Sequence, residues 1–261
     1  VELDKYLDFF FCAFSSILKS CSKWLTKSIK PQIDPRKQTK DVWEEFCRQI
    51  CKMERANESS EVVEENKAKI LTQSVLDLNI NEPFVDLLVT SPPYVTSYEY
   101  ADIHQLSTLW LDYSPDYKHF RTGSIGSLYH SDDLRFNVPK LNQSGLSVVM
   151  QMYSIDKKQA KAIAQYYVNM QAVVKKICNV VRKGGACLFV IGNTEYKSVK
   201  IDNARHLAES LLNEGFYNVT IKRRKILNKI LTPYRDKNGK FSSDKTSRKI
   251  YSEEFLIFAQ I

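Results

Sequence analysis

The sequence predicts an α/β fold built on a largely parallel sheet, on three observations. Two apolar runs, Phe84 to Val89 and Ala186 to Ile191, have the length and β-branched content of buried strands. Between them, Asp156 to Val181 has the apolar spacing of a long amphipathic helix that stops at Lys183-Gly184-Gly185. Asn218 to Ile226 and Phe255 to Ile261 then read as strands of a closing antiparallel hairpin. Alternation of this kind puts helices on the faces of a sheet.

The remaining elements follow in order. Asp4 to Lys19 has helical spacing, and Ile29 to Lys40, with Pro31 and Pro35, is a loop. Asp41 to Ala56 is a second helix, with Val42, Trp43, Phe46, Ile50 and Met53 on one side. Asn57 to Asn66 is a polar linker or exposed helix end, and Ala68 to Leu71 a short strand leading into Thr72-Gln73-Ser74. Asp102 to Leu111 reads as a helix with Ile103, Leu106, Leu109 and Trp110 inward. Ser114 to Ser147, rich in Gly, Ser, Asp and Tyr, is a long loop of the kind that serves as a lid or binding segment. Ala204 to Asn213 is a helix ended by Gly215.

Composition bounds the function without deciding it. The 261 residues suit one α/β domain with an appendage or two small domains, and 43% hydrophobic content supports a sizeable core. Cys12, Cys21, Cys47, Cys51, Cys178 and Cys187 show no zinc-like spacing. Cys47 and Cys51, one helical turn apart, resemble half a metal site, but nothing nearby completes it. Buried free thiols in a reducing cytoplasm, with no metal, are the expectation. Tyr6 to Phe14 is the most apolar stretch, too short to span a bilayer and interrupted by Asp8, so it reads as a core or partner-binding helix and not a signal peptide. The chain begins at Val1, which fits a fragment or an alternative start codon. From Asn218 to Lys249, eleven lysines and arginines face Asp236 and Asp244, an excess larger than the whole chain's +8. A solvated face is the ordinary explanation for a charge run. Confinement to one segment, interleaved with Tyr234 and Phe241, favours phosphate neutralisation instead.

The motif that carries chemistry is Thr90-Ser91-Pro92-Pro93-Tyr94, directly after the strand at Phe84 to Val89. Two prolines remove two backbone donors. The Ser91 hydroxyl and the Ser91 and Pro92 carbonyls are then free to accept hydrogen bonds, and Tyr94 offers a flat face for stacking. Acceptors beside an aromatic face suit a planar heterocycle with an exocyclic amino group, a nucleobase.

At these residues the chain resembles the DNA amino-methyltransferases, whose catalytic motif takes this form. Ser-Pro-Pro-Tyr is typical of the cytosine-N4 branch, while adenine-N6 enzymes more often start with Asp or Asn. The resemblance extends through Tyr98-Glu99-Tyr100 to Leu111, Gly184-Gly185-Ala186 to Gly192-Asn193, Arg223-Arg224-Lys225-Ile226 to Lys229, and Glu253 to Phe258, and covers roughly residues 65–261. It implies a Rossmann-like methyltransferase sheet, with residues 1–66 as an N-terminal helical segment and 67–261 as the catalytic portion, including a basic hairpin region 218–261. It implies S-adenosylmethionine as cofactor, held by Thr72, Gln73, Ser74, Thr90 and Asn193, with Ser91, Pro92, Pro93 and Tyr94 catalytic. Gln73 stands where an acid is usual. Double-stranded DNA is the implied partner, bound through Arg223, Arg224, Lys225, Lys229 and Arg235, in the setting of a restriction–modification pair.

Other classes stay open. A noncatalytic nucleic-acid-binding subunit could keep the fold, and adenine-N6 chemistry uses the same pocket logic. Transfer-RNA guanine-N2 enzymes usually begin the motif with Asp, and no Pro-Cys dipeptide supports cytosine-C5 chemistry. His104 reads as a structural or surface histidine, Tyr98 and Tyr100 as pocket or helix-packing aromatics, and Trp24, Trp43 and Trp110 as core or interface anchors.

One expected feature is missing. The resemblance requires a glycine-rich turn of the Phe-x-Gly-x-Gly type after a first strand and an acid after a second, and residues 1–261 hold neither. The sheet is therefore expected to lack its first two strands, with a second polypeptide supplying them across a split active site.

Overall fold

The computed structural model describes residues 2–26, 28, 31–59, 68–80, 82–95, 99–122, 124–129, 134–226, 234–236, 242–244, 246–249 and 252–261. In its first half the elements are α1 (Glu2–Ile17), α2 (Val42–Glu58), β1 (Val85–Thr90), α3 (Tyr100–Ile103), α4 (Gln105–Trp110), α5 (Leu134–Asn137) and α6 (Gln143–Tyr153). Then come α7 (Lys157–Val180), β2 (Val181–Ile191), β3 (Thr194–Tyr196), β4 (Val199–Ile201), α8 (Asn203–Asn213), β5 (Tyr217–Lys225), β6 (Tyr234–Arg235), β7 (Arg248–Lys249) and β8 (Glu253–Gln260). Two compact units result, one of Val1–Leu71 with Glu99–Arg121, the other of Thr72–Tyr98 with Thr122–Ile261.

In the first unit, α2 begins where the Asp41 carboxylate accepts a hydrogen bond from the Glu44 amide at 2.9 Å. Its expected apolar side forms but stays open: no described α2 residue is buried, and Trp43 is 71% exposed. Trp43, Phe46 and Phe10 of α1 make an aromatic row with centroids 6.3 Å apart at each step. Trp24 is buried, as an anchor should be. The helix expected over Asp102 to Leu111 breaks at His104 (φ −94°, ψ 5°) into α3 and α4. The break shifts the phase of the apolar stripe, so Leu109 and Trp110 are exposed instead of inward, Trp110 meeting Phe14 edge-on. Ala68 to Leu71 forms no strand, and Ile70 is 84% exposed. A strand persists only where a neighbour takes up its amides and carbonyls, and the described residues supply none.

The second unit holds a four-stranded mixed sheet in the order β1-β2-β8-β5. β1 and β2 run parallel, β8 is antiparallel to β2, and β5 is antiparallel to β8. The closing antiparallel hairpin is as the sequence predicts, but among the described strands only the β1–β2 pairing is parallel, so the sheet is mixed and not largely parallel. β2 alternates between buried and half-buried positions over Ala186 to Ile191 and is not buried on both faces. Cys187, Phe189 and Ile191 join Ile257 and Ala259 of β8 against the buried faces of α6, α7 and α8.

Two boundaries differ from expectation. The Asp156 carboxylate caps α7 by accepting from Gln159 N at 3.1 Å, but the helix ends at Val180 and β2 starts at once. Gly184-Gly185 is thus no helix stop. It bulges β2, Val85 pairing with Val181 and Leu87 already with Ala186. Gly184 has φ +81°, and a Cβ on Gly185 would meet Arg182 O at 2.9 Å and Asp86 O at 3.0 Å. The stretch Ser114 to Ser147 also holds structure, namely 3₁₀ turns at Tyr117–Arg121 and Val138–Lys140, α5, and the start of α6. Asn142 caps α6 through Gly145 N at 2.8 Å and ties it to α8 by donating to His206 O and Ser210 Oγ.

All six cysteines are free thiols, but only Cys187 is buried, which pushes its thiol up to about 11. Cys12 and Cys51 are exposed, contrary to expectation, because they sit on open sides of α1 and α2. Among the described residues no helix is long and apolar enough to cross a membrane, and no cluster of metal-ligating side chains forms.

Candidate functional site

β1 ends at Thr90, and two successive prolines prevent the ladder from continuing. Other contacts must hold the turn. Ser91 Oγ donates to Val190 O on β2 at 3.0 Å, and Tyr166 OH on α7 donates to Pro93 O at 2.9 Å. Pro92 is buried, Pro93 and Tyr94 are half-buried, and Ser91 is exposed. The Ser91 hydroxyl is therefore not the unpartnered group expected from sequence. Its proton is committed to β2, and its oxygen keeps lone pairs whose direction that bond sets.

The Tyr94 ring lies along the carboxyl end of β2. A Cβ on Gly192 would stand 3.5 Å from ring carbons Cε2 and Cζ. On the backbone side, Gly126 (φ +88°) approaches so closely that a Cβ would be 3.1 Å from Tyr94 O. Motif and Gly192 thus meet at the carboxyl ends of two parallel neighbours, the usual ligand position in open sheets of this class.

Asn193 is engaged within the protein. Its Nδ2 donates to Asp202 Oδ1 at 2.8 Å, and its Oδ1 accepts from Ala204 N at 3.0 Å. Asp202 also caps α8 through Arg205 N at 3.2 Å, and Asn203 donates to Gly192 O at 2.9 Å. The first turn of α8 is thereby bolted to the strand end that seats Tyr94. Asn203 Oδ1 and Thr194 Oγ1 are buried beside it without a hydrogen-bond partner among the described residues.

Thr72, Gln73 and Ser74 are exposed, and no hydrogen bond among the described residues joins them to the motif. Ser74 Oγ accepts from Leu76 N at 3.2 Å, so that side chain shapes a local turn. Thr90 is half-buried at the last position of β1, opposite Phe189.

The basic segment is less free than its charge count implies. On β5, Arg223 pairs with Glu253 at 3.5 Å, and Arg224 Nε donates to Glu254 Oε1 at 2.7 Å. Both acids lie on β8 outside the basic run, Glu254 directly opposite Arg224 and Glu253 diagonal to Arg223, opposite Lys225. The Lys225 side chain is exposed. Lys229, the Arg235 side chain and Tyr98 lie outside the described residues. Exposed pairs of this sort contribute about 0.2–1 kcal/mol, little enough for phosphate to displace them.

Sequence reasoning missed Tyr166, Gly126, Asp202 and Asn203 as supports of the motif. The Asp-Asn pair opening α8 was the available signal, since Asp is a strong N-cap residue. Of the histidines, His104 marks the α3–α4 break. His206 is buried, stacked on Tyr167 at 3.9 Å, and held neutral because burial pushes its pKa down to about 3. Asp156, which also accepts from Tyr196 OH and Lys197 Nζ at 3.1 Å each, is held below the usual carboxylate range by the Gln159 amide and then Lys197.

No family model matches the chain. Over 250 residues it is 24% identical to the type II methyltransferase M.MvaI of Kocuria varians. The likeness is to a DNA-modifying enzyme family. The match takes in 87% of this chain and 54% of that protein, so the chain spans about half the length of the curated relative it matches. A crystal structure from Thermus thermophilus, of a protein provisionally described as a DNA modification methylase, is 11% identical. That likeness covers 41% of this chain and 40% of the other at a TM-score of 0.26, too distant to bear on the fold. The sequence match to M.MvaI supports the DNA methyltransferase resemblance, and the mixed α/β sheet is compatible with it.

Proposed function

We propose that this chain supplies the base-binding side of an S-adenosylmethionine-dependent DNA methyltransferase acting on cytosine N4, in a restriction–modification setting. The observation that carries the reading is the seating of Ser91-Pro92-Pro93-Tyr94 across the carboxyl ends of β1 and β2. There Ser91 is bonded to Val190, Pro93 to Tyr166, and the Tyr94 ring rests on Gly192.

An exocyclic amine is a weak nucleophile because its lone pair is delocalised into the ring. Ser91 Oγ and the backbone carbonyls of the motif hold the amino protons and draw the nitrogen toward pyramidal geometry, while Tyr94 fixes the plane of the base. Positioning and stabilisation of the positive charge developing on nitrogen provide the acceleration, and no strong base is needed beforehand. The base must leave the duplex to reach this turn, at a cost of a few kcal/mol that stacking on Tyr94 partly offsets. Arg223, Arg224, Lys225, Lys229 and Arg235 neutralise phosphates.

The residues assigned to the cofactor do not make a cradle by themselves. Thr72, Gln73 and Ser74 are exposed, Asn193 is committed to α8, and among the described residues no glycine-rich turn follows a strand. Further polypeptide carrying that turn and two more strands completes the enzyme. Equilibrium dialysis with labelled S-adenosylmethionine tests this point. Binding should be negligible for this chain alone and micromolar once the completing polypeptide is present, and micromolar binding by this chain alone would overturn it.

A further inference from the structure

The connection between α1 and α2 carries a second basic excess, remote in sequence from Asn218 to Lys249. From Lys19 to Lys40 there are seven lysines and arginines and one acid, Asp34. The segment is no extended linker. Trp24 and Ile33 pair across an antiparallel bridge, flanked by Leu25 N donating to Gln32 O at 2.7 Å and Asp34 N to Lys23 O at 2.8 Å. Lys37 Nζ ties the base together by donating to Lys19 O at 2.7 Å and Trp24 O at 2.8 Å. Lys19 Nζ donates to Ser28 O at 2.8 Å and stands 5.4 Å from the centroid of the buried Trp24 ring. The charges are thus gathered on one small knob of the first unit.

Carbonyl oxygens and an indole face accept these lysines, and neither brings a compensating negative charge. Asp34 spends its carboxylate on the Arg36 amide, at 3.1 Å. Among the described residues, Lys23 and Arg36 are exposed with no carboxylate partner, while Lys40 reaches Glu45 at 3.0 Å. β5 differs, because there Arg223 and Arg224 are paired with acids of β8. Like charges gathered this closely repel one another, and a polyanion relieves the repulsion. The knob's tryptophan is turned inward, and Ile33 is its one exposed large apolar side chain among the described residues, too little to anchor it in a lipid surface.

Resting on the DNA-methyltransferase reading above, we propose that the Lys19–Lys40 knob is a phosphate-binding surface for duplex DNA. It contacts the backbone through Lys23 and Arg36 and reads no base. Lys19 and Lys37 hold its shape and add to its positive potential. Phosphate contacts of this kind supply sequence-independent affinity and fix position on the duplex.

Fluorescence anisotropy of the full chain with a labelled random-sequence duplex tests the assignment. Lys23→Gln with Arg36→Gln should leave the thermal transition in place and raise Kd at least tenfold at low salt. The slope of log Kd against log salt should flatten by up to about 1.8, or 0.9 for each lost contact. The loss should be the same on duplexes of unrelated sequence, and Lys23→Arg with Arg36→Lys should bind as the parent does. Acetylation of the parent chain, read by mass spectrometry, should fall at Lys23 on adding the duplex and not on adding anionic phospholipid vesicles. That footprint needs no variant, so it decides the matter even if the substitutions disturb the fold. Unchanged Kd and slope in the glutamine variant, or a Lys23 that the duplex leaves unprotected, overturns the knob and leaves the Ser91–Tyr94 reading intact. DNA binding that depends on Lys23 and Arg36, in a completed enzyme that transfers no methyl, counts against the methyltransferase reading and not against the knob.

Discussion

Replacing Ser91 and Tyr94 separates a structural turn from a base-holding one, because the structure fixes what each side chain does for stability. Ser91→Ala removes one surface hydrogen bond, the 3.0 Å donation to Val190 O, worth about 0.5–1.5 kcal/mol. For a unit of this size each kcal/mol moves Tm by about 2–4 °C, so the shift stays within about 6 °C. Tyr94→Phe keeps the ring on Gly192 and changes only the hydroxyl, whereas Tyr94→Ala removes the ring. If the turn holds the target base, Ser91→Ala and Tyr94→Ala each lower single-turnover methyl transfer by at least about 10²-fold, roughly 2.7 kcal/mol of barrier. Tyr94→Phe should stay within about tenfold of the parent. The assay is rapid-quench transfer of labelled methyl to duplex DNA by the assembled complex, with circular dichroism melting on the same preparations. Near-normal transfer by Ser91→Ala and Tyr94→Ala, or activity falling only as far as melting predicts, would refute the assignment.

Further outcomes follow from other parts of the molecule. Neutralising Arg223, Arg224 and Lys225 should flatten the salt dependence of DNA binding by up to about 0.9 per lost phosphate contact. Glu253→Gln with Glu254→Gln, which releases both arginines from their cross-strand pairs, should tighten binding at low salt; no change in either set assigns the arginines to the sheet alone. His206 is neutral in the folded protein down to about pH 3, while the unfolded chain takes up its proton near pH 6.5, so stability is full above that pH and falls as pH drops. Urea titrations from pH 6.5 to 5 should lose about 2 kcal/mol, and a slope that His206→Gln leaves unaltered would remove this residue as the cause. Gly185→Ala pushes a methyl against Val181 Cγ1, Arg182 O and Asp86 O, and should cost about 1–3 kcal/mol by thermal melting; a parent-like Tm contradicts the bulge.

Where periodicity was long and boundaries were marked, the sequence was readable. α7, α8 and the strands β1, β5 and β8 lie within about two residues of their expected spans, and β2 ends where expected but starts at Val181 instead of Ala186. The contact between motif and Gly192 was also legible, because both directly follow strands that run the same way. Local chemistry misled where glycine served packing instead of a turn. Gly145 looked like loop material, yet it sits inside α6, where a Cβ would meet His206 Cδ2 at 3.0 Å and Tyr167 Cδ2 at 3.2 Å. Gly184-Gly185 looked like a helix stop and proved to be a bulge, since the chain passes from α7 to β2 without a linker. Counting charge along the chain missed Glu253 and Glu254, which are remote in sequence from the basic run but stand opposite Lys225 and Arg224 in the ladder. Ala68 to Leu71 had the composition of a strand without the neighbour that a strand requires.

The central claim, that the Ser91–Tyr94 turn presents an exocyclic base amine for methylation, is tested most directly by nucleoside mass spectrometry. Duplex DNA is incubated with labelled S-adenosylmethionine and the assembled complex, then digested to nucleosides. The account predicts labelled N4-methylcytosine, absent when this chain is alone and when Ser91 and Tyr94 are alanine. Label found only in N6-methyladenine would contradict the cytosine assignment, and no labelled nucleoside from an assembled, cofactor-binding complex would contradict the claim itself.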